Sequence, residues 1–215
     1  MREKTLKGET IKRSNVEGGR VNPEFNLDVA NNYLQDLKTI FDKAGIEFCL
    51  FYGTLVGAIR EEDFIVYDHD VDVVVRRGDV SKIDAIIPEF TELKYRVNST
   101  GMLGEHNFYY ISRPEIPKTK VDIYVLHDFD DKYWFTRYTN IKGRGPTYIA
   151  IPYTKKYFDK MEYIDLRGAK YKVPTPPEDF LEELWGDWWV AHGGQFGKIP
   201  AHKFTPEEYK EKTQS

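Results

Sequence analysis

The sequence predicts an α/β or α+β domain, a short mixed β-sheet with flanking helices. Three observations predict it. A helical apolar period opens at Leu27, short β-rich runs alternate with helical segments after it, and 40% hydrophobic residues in a 215-residue chain suffice for one core.

Residues 1–22 are polar and carry Gly18-Gly19, so they read as a flexible N-terminal arm. Leu27, Ala30, Tyr33, Leu34, Leu37, Ile40, Phe41 and Ala44 then recur at spacings of three and four, predicting a helix capped by Asn26 or Asp28 and ended by Gly45. Ile46–Tyr52 is aromatic-rich and bounded by glycines, which predicts a strand. Leu55–Arg60 reads as a short helix, His69–Val75 as a valine-rich strand, and Val80–Phe90 as a helix. Strands are expected at 94–98, 108–111 and 121–126, a mixed loop region over 127–175, and a last helix over 177–189. Residues 193–215 form a polar tail, which leaves 23–192 as the folded domain.

Composition excludes several classes. The formal charge is −4, from 31 basic and 35 acidic residues, with no basic stripe, which argues against a nucleic-acid partner. Cys49 is the single cysteine, so an internal disulfide and a zinc–thiolate site are excluded; among Phe48, Leu50 and Phe51 it reads as a buried thiol. No stretch reaches the roughly 18 apolar residues of a membrane span, and the N-terminus lacks the apolar run of a signal peptide. The chain is therefore read as cytoplasmic.

The chemistry concentrates in Tyr67-Asp68-His69-Asp70-Val71-Asp72-Val73-Val74-Val75. Strand side chains alternate, so Asp68, Asp70 and Asp72 share one face at roughly 7 Å intervals, with His69, Val71 and Val73 on the other. Like charges so placed repel unless a cation or buried hydrogen bonds compensate them. Two carboxylates on a hard divalent ion, with water and phosphate completing it, are one solution; a charged solvent-facing edge is the other. A calcium loop is excluded, because Val73 and Asp79 stand where that loop needs Gly and Glu. Upstream, Gly53-Thr54 follows a strand and opens a helix, an arrangement that suits phosphate. Asp122, mid-strand among apolar neighbours, is costly to bury and should face a site, a metal or a cation, or else lie on an exposed edge. Lys142-Gly143-Arg144-Gly145 reads as a solvated basic loop or a closure over phosphates, and Tyr109, Tyr110 and Trp134 as core rings or stacking surfaces.

Tyr52-Gly53-Thr54-Leu55-Val56-Gly57-Ala58-Ile59-Arg60, then Phe64-Ile65, then Asp68-His69-Asp70-Val71-Asp72, resembles the signature of the LicD/fukutin-related family without a gap. Val121-Asp122-Ile123 and the segment from Val173-Pro174 to Trp188 are similar to its later elements. Val66, Tyr67 and His69 depart from the pattern, none on the carboxylate face. The resemblance implies a nucleotidyltransferase-like fold over 23–192. It implies Mg²⁺, with Mn²⁺ as an alternative, on Asp70 and Asp72, with Asp68 as a further ligand. Asp122 would complete the metal site or act as base. Gly53 and Thr54 would hold donor phosphate, and Arg60 would support phosphates or form a structural salt bridge. The implied reaction moves phosphocholine, or ribitol or glycerol phosphate, from a CDP-linked donor to a glycan hydroxyl and releases CMP, as in lipopolysaccharide, teichoic acid or glycoprotein modification. Nucleotidyl transfer from an NTP and a catalytically silent nucleotide-binding module are the alternatives.

Overall fold

A computed structural model describes residues 25–102, 105–141 and 145–189, with the backbones of three short strands, β1 (Lys4–Leu6), β2 (Glu9–Ile11) and β12 (His202–Phe204). The rest of the N-terminal arm, the basic loop at 142–144 and most of the C-terminal tail lie outside the described residues.

The first helix, α1 (Leu27–Ala44), forms where the period predicts it. The Asn26 side chain accepts from the backbone N–H groups of Asp28 and Val29 at 3.0 and 3.1 Å, and Gly45 (φ 63°) ends the helix. Its buried stripe is Ala30, Tyr33, Leu34, Leu37, Ile40 and Phe41. Phe41 meets Phe48 edge-on at 5.7 Å, which seats α1 on the sheet.

The sheet is mixed. β3 (Phe48–Leu50) runs antiparallel to β4 (Val71–Arg76), which lies parallel to the long β7 (Ile116–Phe129). β7 pairs antiparallel with β6 (Glu105–Arg113) and, further along, with β8 (Lys132–Ile141). β5 (Arg96–Met102) flanks β6, β9 (Gly145–Thr154) flanks β8, and β12 flanks β9. On the other side, β10 (Glu162–Leu166) and β11 (Ala169–Val173) form a hairpin whose β11 joins β3 in parallel. The described strands make a ten-stranded sheet, larger than the short sheet expected. The difference lies in 127–175, which supplies most of β8, β9, β10 and β11 rather than a loop region. Its Gly and Pro residues mark turns and edges, while long-range pairing settles the rest.

Alternation sorts the faces. Val71, Val73 and Val75 pair with Val121, Ile123 and Val125 and are all buried; each such side chain contributes about 1.5–3 kcal/mol. The opposite face carries Asp72, Asp122 and Tyr124. It is roofed by α2 (Tyr52–Val56) and α6 (Pro177–Trp185), through Phe51 against Phe180 at 5.8 Å and Tyr52 against Trp185 at 6.1 Å. The helix expected over 80–90 is two, α3 (Val80–Ala85) and α4 (Ile87–Glu92), since Pro88 has no N–H to continue the first. The last helix stops at Trp185, where Gly186 takes φ 71°. The single turn α5 (Lys156–Asp159) links β9 to β10.

Candidate active site

β4 starts at Val71, two residues later than expected, so Asp68 and Asp70 sit in the extended approach to the strand. Parallel pairing then sets Asp72 directly beside Asp122. One carboxylate oxygen from each of Asp70, Asp72 and Asp122 lies within 4.8 Å of the other two. Asp72 and Asp122 are buried, at 5% and 6% exposure, and Asp70 is partly open. Asp68 stands next to this trio rather than in it, its Oδ1 accepting from the His69 N–H at 2.9 Å.

The electrostatics follow from that crowding. Burial, then Asp70, Asp68 and Asp122, push the Asp72 carboxyl well above its usual range. Burial and then Asp70 raise Asp68 to about 6. Burial raises Asp122 to about 6 as well, against the opposing pull of Lys120. The Lys120 ammonium donates to Asp70 at 2.7 Å and also to Asp122. Lys120, Asp122 and Tyr124 alternate along β7 and so share a face, and the Tyr124 hydroxyl donates to Asp72 Oδ1 at 3.2 Å. Neither Lys120 nor Tyr124 was singled out from sequence, although their spacing of two from Asp122 was the available signal.

The glycine-threonine step shapes Asp72. The Gly53 N–H donates to Asp72 Oδ2 at 3.1 Å, and the Asp72 N–H donates to Thr54 Oγ1 at 2.8 Å. A Cβ on Gly53 would stand 2.3 Å from Asp68 Oδ2 and 3.4 Å from Asp72 Oδ2, so a side chain here would push the Asp68 carboxylate out of its place. Tyr52, just before it, holds φ 37°, a strained value for a non-glycine residue beside a functional site. A Cβ on Gly57 would meet the Asp63 carbonyl oxygen at 2.6 Å and the Ile65 nitrogen at 3.1 Å, so the helical turn Gly57–Glu61 that follows α2 packs closely on the loop leading to Asp68. Gly53→Ala is expected to lower turnover about 100-fold through misplacement of Asp68 and Asp72, with a native circular-dichroism spectrum. Full activity in that variant would remove the cradle from the argument.

Arg60 is 5% exposed and is committed to Glu61 at 2.7 Å, the Tyr67 hydroxyl at 2.8 Å and the Trp188 carbonyl at 3.0 Å. It thereby clamps the approach to Asp68 against the segment after α6. Of the rings considered from sequence, Tyr109 lies on the far face, bonded to Asp84 at 2.8 Å, and Trp134 donates to the Phe129 carbonyl at 3.3 Å. Tyr110 pairs with Asp122 across the sheet and shares its face.

This trio fits a hard divalent cation on three observations of the protein itself. The donors are all carboxylate oxygens, they converge on one point, and Asp122 Oδ1 is buried without a hydrogen-bond partner.

A model described as the LicD/FKTN/FKRP nucleotidyltransferase domain matches residues 45–176. The chain belongs to this family. The LicD match begins at the end of α1 and takes in every carboxylate above. An uncharacterized protein of Rickettsia prowazekii (strain Madrid E), RP689, is 26% identical over 189 residues, 86% of this chain and 62% of that protein. RT0683 of Rickettsia typhi, also uncharacterized, is 29% identical over 100 residues, 46% of this chain and 29% of its own. The chain thus spans less than two thirds of these relatives. Among solved structures, the lincosamide antibiotic adenylyltransferase LnuA with lincomycin bound is 12% identical, with a TM-score of 0.44 over 70% of this chain and 83% of that one. ANT(2")-Ia in complex with adenylyl-2"-tobramycin is 15% identical, with a TM-score of 0.34 over 47% of this chain and 52% of that one. No described helix of this LicD-family chain is long and apolar enough to cross a membrane.

Proposed function

We propose that this LicD-family transferase moves a phospho-alcohol (phosphocholine, or ribitol or glycerol phosphate) from a CDP-linked donor to a glycan hydroxyl, releasing CMP. The observation that carries this reading is the convergence of Asp70, Asp72 and Asp122 on one point beside the Gly53-Thr54 step, inside the family's matched segment. Residues 23–192 would be the catalytic unit, between an N-terminal arm and a C-terminal tail.

A Mg²⁺ or Mn²⁺ ion bound at the trio would supply charge neutralisation for the donor diphosphate and for the departing CMP. Asp70 and Asp72 would hold that ion, with Asp68 beside them. The Gly53 N–H, the Thr54 hydroxyl and the Tyr124 hydroxyl keep Asp72 in place. Asp122 orients the acceptor hydroxyl and takes its proton as the new oxygen–phosphorus bond forms. The bond from that phosphorus to CMP breaks, and the electron pair leaves with the CMP phosphate. Arg60, buried and committed, holds the Asp68 approach. The Gly53-Thr54 step would add its remaining polar contacts to the donor phosphate.

Isothermal titration with CDP-choline, CDP-ribitol and CTP, each with and without Mg²⁺, tests the reading. Mg²⁺-dependent binding of one CDP-alcohol is expected, followed by CMP release when a glycan acceptor is supplied. Binding of CTP alone, with pyrophosphate as product, would replace it with nucleotidyl transfer.

A further inference from the structure

The carboxylate centre needs positive charge beyond the ion if it is to receive a diphosphate. Four aspartates, Asp68, Asp70, Asp72 and Asp122, crowd its floor, and Lys120 is the cation bonded among them. Arg60 is 5% exposed, with its guanidinium committed to Glu61, Tyr67 and the Trp188 carbonyl. Neither side chain is free to follow an incoming anion.

Arg137 is. It lies on β8, two residues from Phe135, and therefore on the same face of the sheet. Phe135 pairs with Leu126 at the end of the β7–β8 ladder, and Phe108 of β6 takes the place beside Tyr124, so Arg137 lies just beyond that ladder on the face that carries Tyr124. The rings of Phe135 and Tyr124 lie 4.9 Å apart, which confirms the face, and the Tyr124 hydroxyl donates to Asp72. The charge of Arg137 also reaches the phenol of Tyr52, the residue that opens the Gly53 step. Arg137 is exposed and has no carboxylate partner among the described residues. An unpaired, always-charged guanidinium at the rim of a metal-carboxylate floor suits a ligand that brings its own negative charge in bidentate form.

We propose that Arg137 is the phosphate-binding residue of this site, pairing through its guanidinium with the phosphoryl oxygens of the donor diphosphate. This rests on the metal-dependent phosphoryl-transfer reading for its ligand class and not on which alcohol the donor carries. Arg137 enters from β8, within the stretch that sequence reading leaves as loop.

Titration of wild type, Arg137→Met and Arg137→Lys with Mg²⁺ plus inorganic pyrophosphate, and separately with Mg²⁺ plus CDP, tests the proposal. Dissociation constants for both anions are expected to rise about 10- to 100-fold in Arg137→Met. Arg137→Lys should fall between, keeping the charge and losing the fork. Affinity for Mg²⁺ alone, read by thermal shift, should change less than about twofold, because Arg137 touches no carboxylate of the trio. Wild-type pyrophosphate affinity in Arg137→Met, or a wild type that binds neither anion, overturns the proposal. Arg137-dependent binding of pyrophosphate without binding of CDP keeps Arg137 and removes the cytidine donor instead.

Discussion

Asp72→Asn is expected to cut turnover by about 10³-fold or more while the metal-free protein melts at a higher temperature than wild type. The two effects share one cause. Asp72 is 5% exposed, and burial plus three neighbouring aspartates oppose its charge. An amide of the same shape removes that repulsion. Asparagine Oδ1 can still accept from the Gly53 N–H or the Tyr124 hydroxyl, and the backbone bond to Thr54 does not involve the side chain. The fold therefore loses little, while the centre loses the anionic donor it is built around. Turnover and calorimetric melting measured on the same sample separate the two. Near-normal turnover would sink the assignment, and a lowered melting point with native turnover would make Asp72 a structural residue. Asp70→Asn should match it in turnover but gain less stability, because Asp70 is partly open and already paired with Lys120.

Parts of this site were legible in the sequence for physical reasons. Alternation along Asp70-Val71-Asp72 placed the carboxylates opposite the valines from spacing alone, and the same parity ties Lys120 and Tyr124 to Asp122. What spacing could not give is the neighbour relation between Asp72 and Asp122. It depends on parallel pairing of two strands 50 residues apart, which no local pattern encodes. Arg60 was ambiguous for a similar reason: one of its partners is the carbonyl of Trp188, 128 residues away. The loop reading of 127–175 failed because Gly145, Pro146 and Pro152 punctuate what is in fact a long hairpin. Pro152 stands opposite Trp134 within it, where its neighbours keep the ladder in register. The helix over 80–90 failed at Pro88, a breaker inside an otherwise helical period. The α1 stripe and its Gly45 end were readable because both are local, while the choice of Asn26 over Asp28 as N-cap came from the structure.

Mg²⁺ should stabilise the protein far more at pH 7.5 than at pH 5. Asp68 and Asp122 are raised to about 6 in the folded protein, from an ordinary value of 3.8, and Asp72 is also raised well above 3.8. A carboxyl raised on folding favours the folded state while it is protonated. That contribution is fully present below about 3.8 and is lost as pH climbs through about 6. The metal-free protein should accordingly lose stability across pH 4 to 7 on account of these groups. A divalent ion takes the same carboxylates in their charged form, so protons compete with it through that window. At pH 5 a group titrating near 6 is roughly nine-tenths protonated, which weakens apparent metal affinity about tenfold per group. Mg²⁺ at about 100 times its dissociation constant at pH 7.5 would add about 2.7 kcal/mol, and the same concentration at pH 5 would add little. Differential scanning calorimetry at both pH values, with and without Mg²⁺, reads this directly. In Asp122→Asn the stabilisation by Mg²⁺ should shrink at pH 7.5 and lose much of its pH dependence. An equal shift at both pH values in wild type would show that the ion binds somewhere other than the buried aspartates.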